Sequence, residues 1–316
     1  MSSHMQSSLA ASDAASGWAA LPPEYAIPTT PPSLEEARAY CERLAKKHYE
    51  NFCVATWFLP EKLRPHFYSI YAYCRISDDL GDEVADPLQS LALLDEWERQ
   101  LDACYAGSPR HPVFVALRPT IVACGIPRDP FANLLTAFRQ DQTVTRYKTF
   151  EDLLGYCVNS ANPVGRLVLY ACGYSDPERQ QLSDFTCTAL QLANFWQDVV
   201  VDYDKGRIYL PLEDLKHHGV TEADIAARCF SPTFRELMRF EVERARKWFV
   251  SGRPLLRSVD RELAIDIELF SRGGEEILNC IAGQDYDVLR ARPVISKPRK
   301  LALVATTAMK ALWNRL

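Results

Sequence analysis

The stretch FTCTALQLANFWQDVVVDYD (185–204) constrains the fold most. At helical spacing, Leu190, Leu192, Phe195, Trp196, Val199 and Val200 spread over nearly every face, which is the pattern of a helix buried almost all round. One stripe is left polar. Gln191, Asn194, Asp198 and Asp202 follow one another along it over three turns. On such a helix the carboxylates point into the protein, where an unpaired charge is costly. Lys205, Gly206 and Arg207 come next, so a glycine stands where a helix C-cap wants one and two cations stand where the helix dipole favours them.

The rest of the chain supplies helices to surround it. Ser33 with Glu36 forms a capping-box pattern after Pro31-Pro32, and Pro60 and Pro87 open further helical runs. Helical patterns continue at 111–123, 129–140, 149–158, 162–172, 176–203, 222–228, 232–251, 260–281 and 297–315, punctuated by Gly107, Gly125, Gly173, Pro211, Gly252 and Pro293. No alternating run bounded by hairpin turns occurs. These signals predict one all-α domain over 33–295. Residues 1–32, rich in Ala, Ser and Pro, read as a disordered segment that begins with a tag remnant, MSSHM. Residues 296–316 read as a basic amphipathic C-terminal helix.

A second acidic cluster lies at ISDDLGDE (76–83), also after an apolar run. In a helix Asp78 faces Asp82 and Asp79 faces Glu83, and each like-charged pair costs roughly 0.2–0.5 kcal/mol. Taken singly, each cluster reads as well as a solvated helix face. Two together point to a shared cation site at Asp78, Asp82, Asp198 and Asp202. Hard oxygen donors with no His or Cys beside them suit Mg²⁺, which keeps waters and is completed by substrate phosphates. The chain carries neither a Walker A sequence nor GxGxxG, so no nucleotide loop holds the phosphates. A ferritin-type centre is disfavoured because no Glu-x-x-His pair accompanies the acids. Aromatics at Phe52, Trp57, Phe58, Phe67, Tyr68, Tyr71, Tyr73, Phe195 and Trp196 either wall an apolar cavity or pack the core.

The net charge of -5 argues against nucleic acid as a partner. The ten cysteines form no CxxC pair, and many of them, such as Cys53, Cys172 and Cys187, sit in apolar runs, as reduced core residues do. No secretory signal and no apolar run of spanning length is present, so a cytoplasmic location is expected. The tail KPRKLALVATTAMKALWNRL suits either an anionic membrane surface, at the inner face, or a helix packed on the bundle.

Four segments in order, YAYCRISDDLGDE (71–83), YCVNSANPVGRLV (156–168), QLANFWQDVVVDYDKGRIYLP (191–211) and YDVLRARPVISKPRK (286–300), resemble the squalene/phytoene synthase family. The resemblance spans roughly 40–300. It implies an isoprenoid-synthase helical bundle with a central cavity and Mg²⁺-assisted loss of diphosphate to give a carbocation. It implies that Asp78, Asp82, Asp198 and Asp202 bind the metal. Arg75 and His48 correspond to diphosphate-binding residues, although a histidine at a helix end also suits His48. Tyr71 corresponds to a cavity tyrosine, and Gln191 with Asn194 to the polar pair before the second motif. Lys205 and Arg207 are either phosphate partners or capping charges.

Three departures narrow the reading. The family pattern N-x-x-R-D is here Asn194-Phe-Trp-Gln197-Asp198, without the arginine. Ser160-Ala-Asn162-Pro163 replaces an alanine-glycine pair, and Gly274 replaces a tyrosine before Ile277-Leu278. This set resembles the hydroxysqualene synthase branch of hopanoid biosynthesis. That branch implies presqualene diphosphate as substrate, a water quench with Asn162 as candidate water-orienting residue, no need for NADPH, and association with other hopanoid-pathway enzymes. The alternatives are a head-to-head synthase joining two prenyl diphosphates and a non-catalytic membrane-associated helical scaffold.

Overall fold

The structure is a computed structural model that describes residues 21–47 and 60–312. Among them the helices are α1 (Leu34–Lys47), α2 (Arg64–Asp82), α3 (Pro87–Ala106), α4 (Pro112–Cys124), α5 (Asp129–Gln140), α6 (Phe150–Ser160) and α7 (Asn162–Ala171). They continue with α8 (Pro177–Gln197), α9 (Val199–Asp204), α10 (Leu212–His218), α11 (Glu222–Ala226), α12 (Pro232–Gly252), α13 (Arg261–Gly283) and α14 (Lys297–Leu312). The one β-type pairing among the described residues is an isolated bridge between Arg146 and Ile208. The all-α expectation therefore holds.

The chain forms two compact units. One comprises Met1–Thr143 with Leu167–Tyr174, the other Val144–Arg166 with Ser175–Leu316. In the first, α2 packs against α1, α3, α4 and α5. Its inward face is apolar and its few polar groups are satisfied. The Tyr73 hydroxyl donates to the Phe131 carbonyl at 2.8 Å, and Trp97 Nε1 donates to Ser77 Oγ at 3.0 Å. Gly81 packs closely on α5, where a Cβ would lie 3.2 Å from two Phe138 side-chain atoms.

Residues 21–32, within the segment expected to be disordered, include packed side chains. Leu21 and Tyr25 are buried in the core around α2, and a single 3-10 turn spans Pro23–Tyr25. These two buried side chains anchor a Pro-rich segment that has no α-helix of its own.

In the second unit α8 packs against α6, α12 and α13. Small residues bring the helices close. At Gly165 a Cβ would meet Ser183 Oγ at 2.3 Å, and at Gly252 it would meet Thr186 Oγ1 at 2.2 Å. Arg166 forks onto Asp184 with bonds of 3.0 and 2.6 Å, tying α7 to α8. The C-terminal helix α14 packs on α13, where Arg272 Nη1 donates to the buried Thr307 hydroxyl at 2.6 Å. Its packed face thus follows the bundle alternative, while Leu301 is 72% and Met309 53% exposed on the other side.

Two sequence expectations need correction. The run 176–203 is not one helix, because Asp198 (φ -106, ψ 15) divides α8 from α9. Three consecutive β-branched valines follow it, a weak start for a continuing helix. Helix α10 was not expected, because Pro211 reads as a breaker; it stands instead at the N-cap, where its fixed backbone admits a helix after it.

Candidate active site

On α2 the residues Tyr71, Arg75, Asp78 and Asp82 share one face at helical spacing. This face is the accessible one. The Asp78 side chain is 48% exposed and Asp82 is exposed, so neither carboxylate is driven into the core. Their neighbour Asp79 is buried instead, and it is doubly held. Arg75 pairs with it through Nη2, and the Tyr25 hydroxyl donates to its Oδ2 at 2.5 Å. Arg75 also lies 3.6 Å from Asp78. Contact with these carboxylates favours the charged guanidinium, against a desolvation cost of burial. The four acids of ISDDLGDE thus separate by role: Asp79 fixes Arg75, and Asp78 and Asp82 remain presented.

The second motif straddles the junction of α8 and α9. Backbone bonds run through it from Asp198 N to the Asn194 carbonyl at 2.9 Å and from Asp202 N to the Asp198 carbonyl at 2.8 Å. Asp198 and Asp202 therefore stay one turn apart despite the break. Gln191, Asp198 and Asp202 are half-buried and Asn194 is exposed, so the stripe is accessible rather than enclosed. Asn194 Nδ2 donates to Asp198 Oδ2 at 2.9 Å. The flanking apolar residues behave as core: Phe195 and Trp196 are buried, and Phe195 stacks on Tyr209 with ring centroids 3.9 Å apart.

Helix α9 ends in a Schellman motif. Arg207 N donates to the Asp202 carbonyl and Gly206 N to the Tyr203 carbonyl, each at 2.8 Å, with Gly206 at φ +82. Arg146 clamps this cap from outside. Its Nη1 donates to the Gly206 carbonyl at 2.7 Å while its other nitrogens hold Glu222. Lys205 is exposed and Arg207 half-buried beside the motif.

Several expected residues stand elsewhere. His48, Phe52, Trp57 and Phe58 lie outside the described residues. Asn162 is buried at the start of α7, and its Oδ1 accepts from Thr188 Oγ1 at 3.0 Å. Tyr73, Phe67 and Trp196 are buried core, which leaves Tyr71 and Tyr68 as the half-buried aromatics of α2.

Arg292 escaped the sequence reading. It reaches Asp198 from 94 residues away, its Nε on Oδ1 and its Nη2 on Oδ2, the latter at 3.1 Å. Only its basic context in RARPV hinted at it.

Among the described residues no three His, Cys, Asp or Glu side chains converge as a metal cage. The first motif presents the Asp78 and Asp82 carboxylates on an accessible face; in the second, Asp202 is half-buried and Asp198 has both oxygens engaged by Arg292 and Asn194. That donor set fits Mg²⁺, which takes few protein carboxylates and fills its shell with waters and phosphate oxygens.

The comparisons agree with one another. The squalene/phytoene synthase family model matches residues 45–299. The 15-cis-phytoene synthase of Synechocystis sp. is 30% identical over 291 residues, covering 88% of this chain and 86% of its own. The crystal structure of squalene synthase HpnC from Alicyclobacillus acidocaldarius superposes with a TM-score of 0.77 at 45% identity, covering 85% of this chain and 98% of that one. A dehydrosqualene synthase crystallised with a ligand superposes with a TM-score of 0.80 at 26% identity, covering 89% and 98%. With the isoprenoid-synthase fold, both acidic motifs and the family match over most of its length, the chain belongs to the squalene/phytoene synthase family, enzymes of isoprenoid biosynthesis that act on prenyl diphosphates.

Proposed function

We propose that this enzyme ionises presqualene diphosphate and quenches the rearranged carbocation with water, giving hydroxysqualene and diphosphate. The observation that carries the reading is the commitment of the two departing positions to packing. Gln197 stands where the family pattern has arginine, and its Nε2 donates to the Pro293 carbonyl at 2.6 Å. Gly274 stands where the pattern has tyrosine, and a Cβ there would lie 2.5 Å from Phe249 Cζ and 2.8 Å from Leu190 Cδ2. Neither position offers a phosphate contact. An enzyme handling one diphosphate rather than two in turn needs fewer such contacts. The 45% identity to a protein described as squalene synthase HpnC supports a squalene-type C30 skeleton in the product.

Asp78, Asp82, Asp198 and Asp202 would hold Mg²⁺, which supplies positive charge to the departing diphosphate oxygens. Arg75, oriented by Asp79, adds a bidentate-capable cation on the same helix face as Asp78 and Asp82. Lys205 and Arg207, held in the Schellman cap, do so beside Asp202. His48 is proposed as a further phosphate contact. Gln191 and Asn194 orient the second motif, Asn194 by its bond to Asp198. The Tyr71 ring is the half-buried aromatic placed to face a cation, an interaction of about 0.5–2 kcal/mol. In the last step a water oxygen bonds to the cationic carbon and its proton leaves to solvent. Asn162 is the candidate to orient that water, with its Oδ1 held by Thr188 Oγ1. No hydride is consumed, so NADPH is not required.

The second reading is head-to-head joining of two prenyl diphosphates, favoured by relatives described as 15-cis-phytoene synthase and dehydrosqualene synthase. A product assay with Mg²⁺ separates the two. Hydroxysqualene from presqualene diphosphate, with nothing from farnesyl diphosphate, supports the water quench. A C30 product from farnesyl diphosphate would replace it with the second reading. A non-catalytic scaffold would turn over neither.

Peripheral membrane contact belongs to the same proposal. No described helix is long and apolar enough to cross a membrane. Exposed Leu301 and Met309, two turns apart on α14 with Lys297 and Lys300 nearby, suit an anionic lipid surface. Flotation with anionic liposomes, undiminished on deleting 297–316, would place the contact elsewhere.

A further inference from the structure

Two adjacent residues of the second motif hold two adjacent residues of a distant segment. Gln197 binds the Pro293 carbonyl, and Asp198 binds the Arg292 guanidinium. Gln197 is buried, so its amide bond is shielded from water. The segment it grips is itself built rather than slack. Gln284 Nε2 donates to the Asp287 and Ala291 carbonyls at 2.8 and 2.9 Å, and Arg290 N donates to Asp287 Oδ1 at 3.1 Å. Asp285 and Tyr286 take φ of 57 and 62, a conformation non-glycine residues seldom adopt without a structural reason.

The consequence falls on Asp198. Its side chain is 15% exposed, and Arg292 engages both of its oxygens while Asn194 engages Oδ2. A divalent cation at Asp198 needs at least one of those oxygens, and its charge repels a guanidinium already there. We propose that Arg292 is a resident counter-cation of Asp198 which a divalent metal must displace, and that Gln197 is the positioning residue that keeps it there. The pair thereby sets the metal affinity of the second acidic motif. This rests on the reading that Asp198 and Asp202 are metal ligands. It also gives Gln197 a task that an arginine at that position would not perform, because a second guanidinium beside Asp198 would compete with Arg292.

The test is direct titration of the whole chain with Mn²⁺ alone, free metal being counted by its paramagnetic resonance signal. Competitive binding makes Arg292→Gln tighten a class of sites by about 5–150-fold, the range of an ordinary coupling between two ligands. Arg292→Lys, which keeps the charge but not the fork, shifts it less. Gln197→Ala tightens it in the same direction, and adding Gln197→Ala to Arg292→Gln changes nothing further, because the tether acts only through Arg292. Asp198→Asn in the otherwise native chain checks the underlying reading by removing that class of bound Mn²⁺. If Asp198→Asn leaves Mn²⁺ binding intact, the ligand role of Asp198 is wrong. If Asp198→Asn removes the metal but Arg292→Gln leaves affinity unchanged or weaker, the counter-cation role is wrong. Independent, additive effects of Gln197→Ala and Arg292→Gln would overturn the positioning role alone.

Discussion

The hydroxyl of Tyr25 donates to Oδ2 of Asp79 at 2.5 Å, joining residues 54 apart in the chain. Burial, then the bond to Asp79, pushes the phenol's pKa well above its ordinary value, so Tyr25 stays a donor throughout the working pH range. The N-terminal segment thus ends in a bond to the helix that carries the first acidic motif.

Tyr25→Phe removes that bond and little else. A buried carboxylate then loses one of its two partners, which costs about 1–3 kcal/mol. Thermal unfolding of the variant should show a lower midpoint, while Mg²⁺ with pyrophosphate still stabilises it. An unchanged midpoint would mean that Asp79 is solvated or that the segment carries no load.

The acids of ISDDLGDE should separate by ligand response. Mg²⁺ with pyrophosphate at a hundred times its dissociation constant stabilises a protein by about 2.7 kcal/mol. Asp78→Asn and Asp202→Asn should fold normally, lose this stabilisation and lose turnover. Asp79→Asn should lower the ligand-free midpoint yet keep a stabilising response. A full response in Asp78→Asn would remove that residue from the metal site.

Much of this was legible in the sequence because helical periodicity is local. The 3.6-residue stripe through Gln191, Asn194, Asp198 and Asp202, and the proline and glycine punctuation, report on neighbours within a few turns. What was not legible depends on contacts between distant segments. The family resemblance makes Arg75 a diphosphate-binding arginine, yet its tightest partner is Asp79, and Asp79 is singled out only by Tyr25 arriving from outside the helix. Arg292 has no local pattern that pairs it with Asp198. The break at Asp198 was hidden because its backbone bonds preserve the spacing on either side.

Restoring the family tyrosine should fail. Gly274 faces the Phe249 ring and Leu190, and even a Cβ would lie 2.5 Å from Phe249 Cζ. Overpacking of this kind costs about 1–3 kcal/mol. Gly274→Tyr should lower the unfolding midpoint and confer no turnover of farnesyl diphosphate. A stable variant that gains such turnover would show that the position still opens on the substrate.

Asp266 gives the protein a pH signature that opposes ordinary acid denaturation. It is buried on α13, neither carboxyl oxygen has a hydrogen-bond partner, and burial pushes its pKa from 3.8 to about 8. Between those values the folded chain keeps this proton and the unfolded chain has released it. The unfolded state then binds fewer protons, so this residue's contribution makes stability fall as pH rises, by about 1.4 kcal/mol per pH unit. The fall begins just below pH 4 and levels off near 8. Glu241 acts in the same direction, raised to about 9 by burial against the opposing charge of Arg244. Asp266→Asn keeps the shape and removes the proton. Denaturant midpoints measured from pH 4 to 8.5 should show the variant gaining on the native chain as pH rises, with the two converging near pH 4. Glu241 contributes to any falling slope left in the variant, and Asp266→Asn/Glu241→Gln should fall less steeply with pH than Asp266→Asn alone. Equal midpoints for the variant and the native chain at pH 8 would mean that the Asp266 carboxyl has a partner or water of its own, and that the protein does not carry this buried proton.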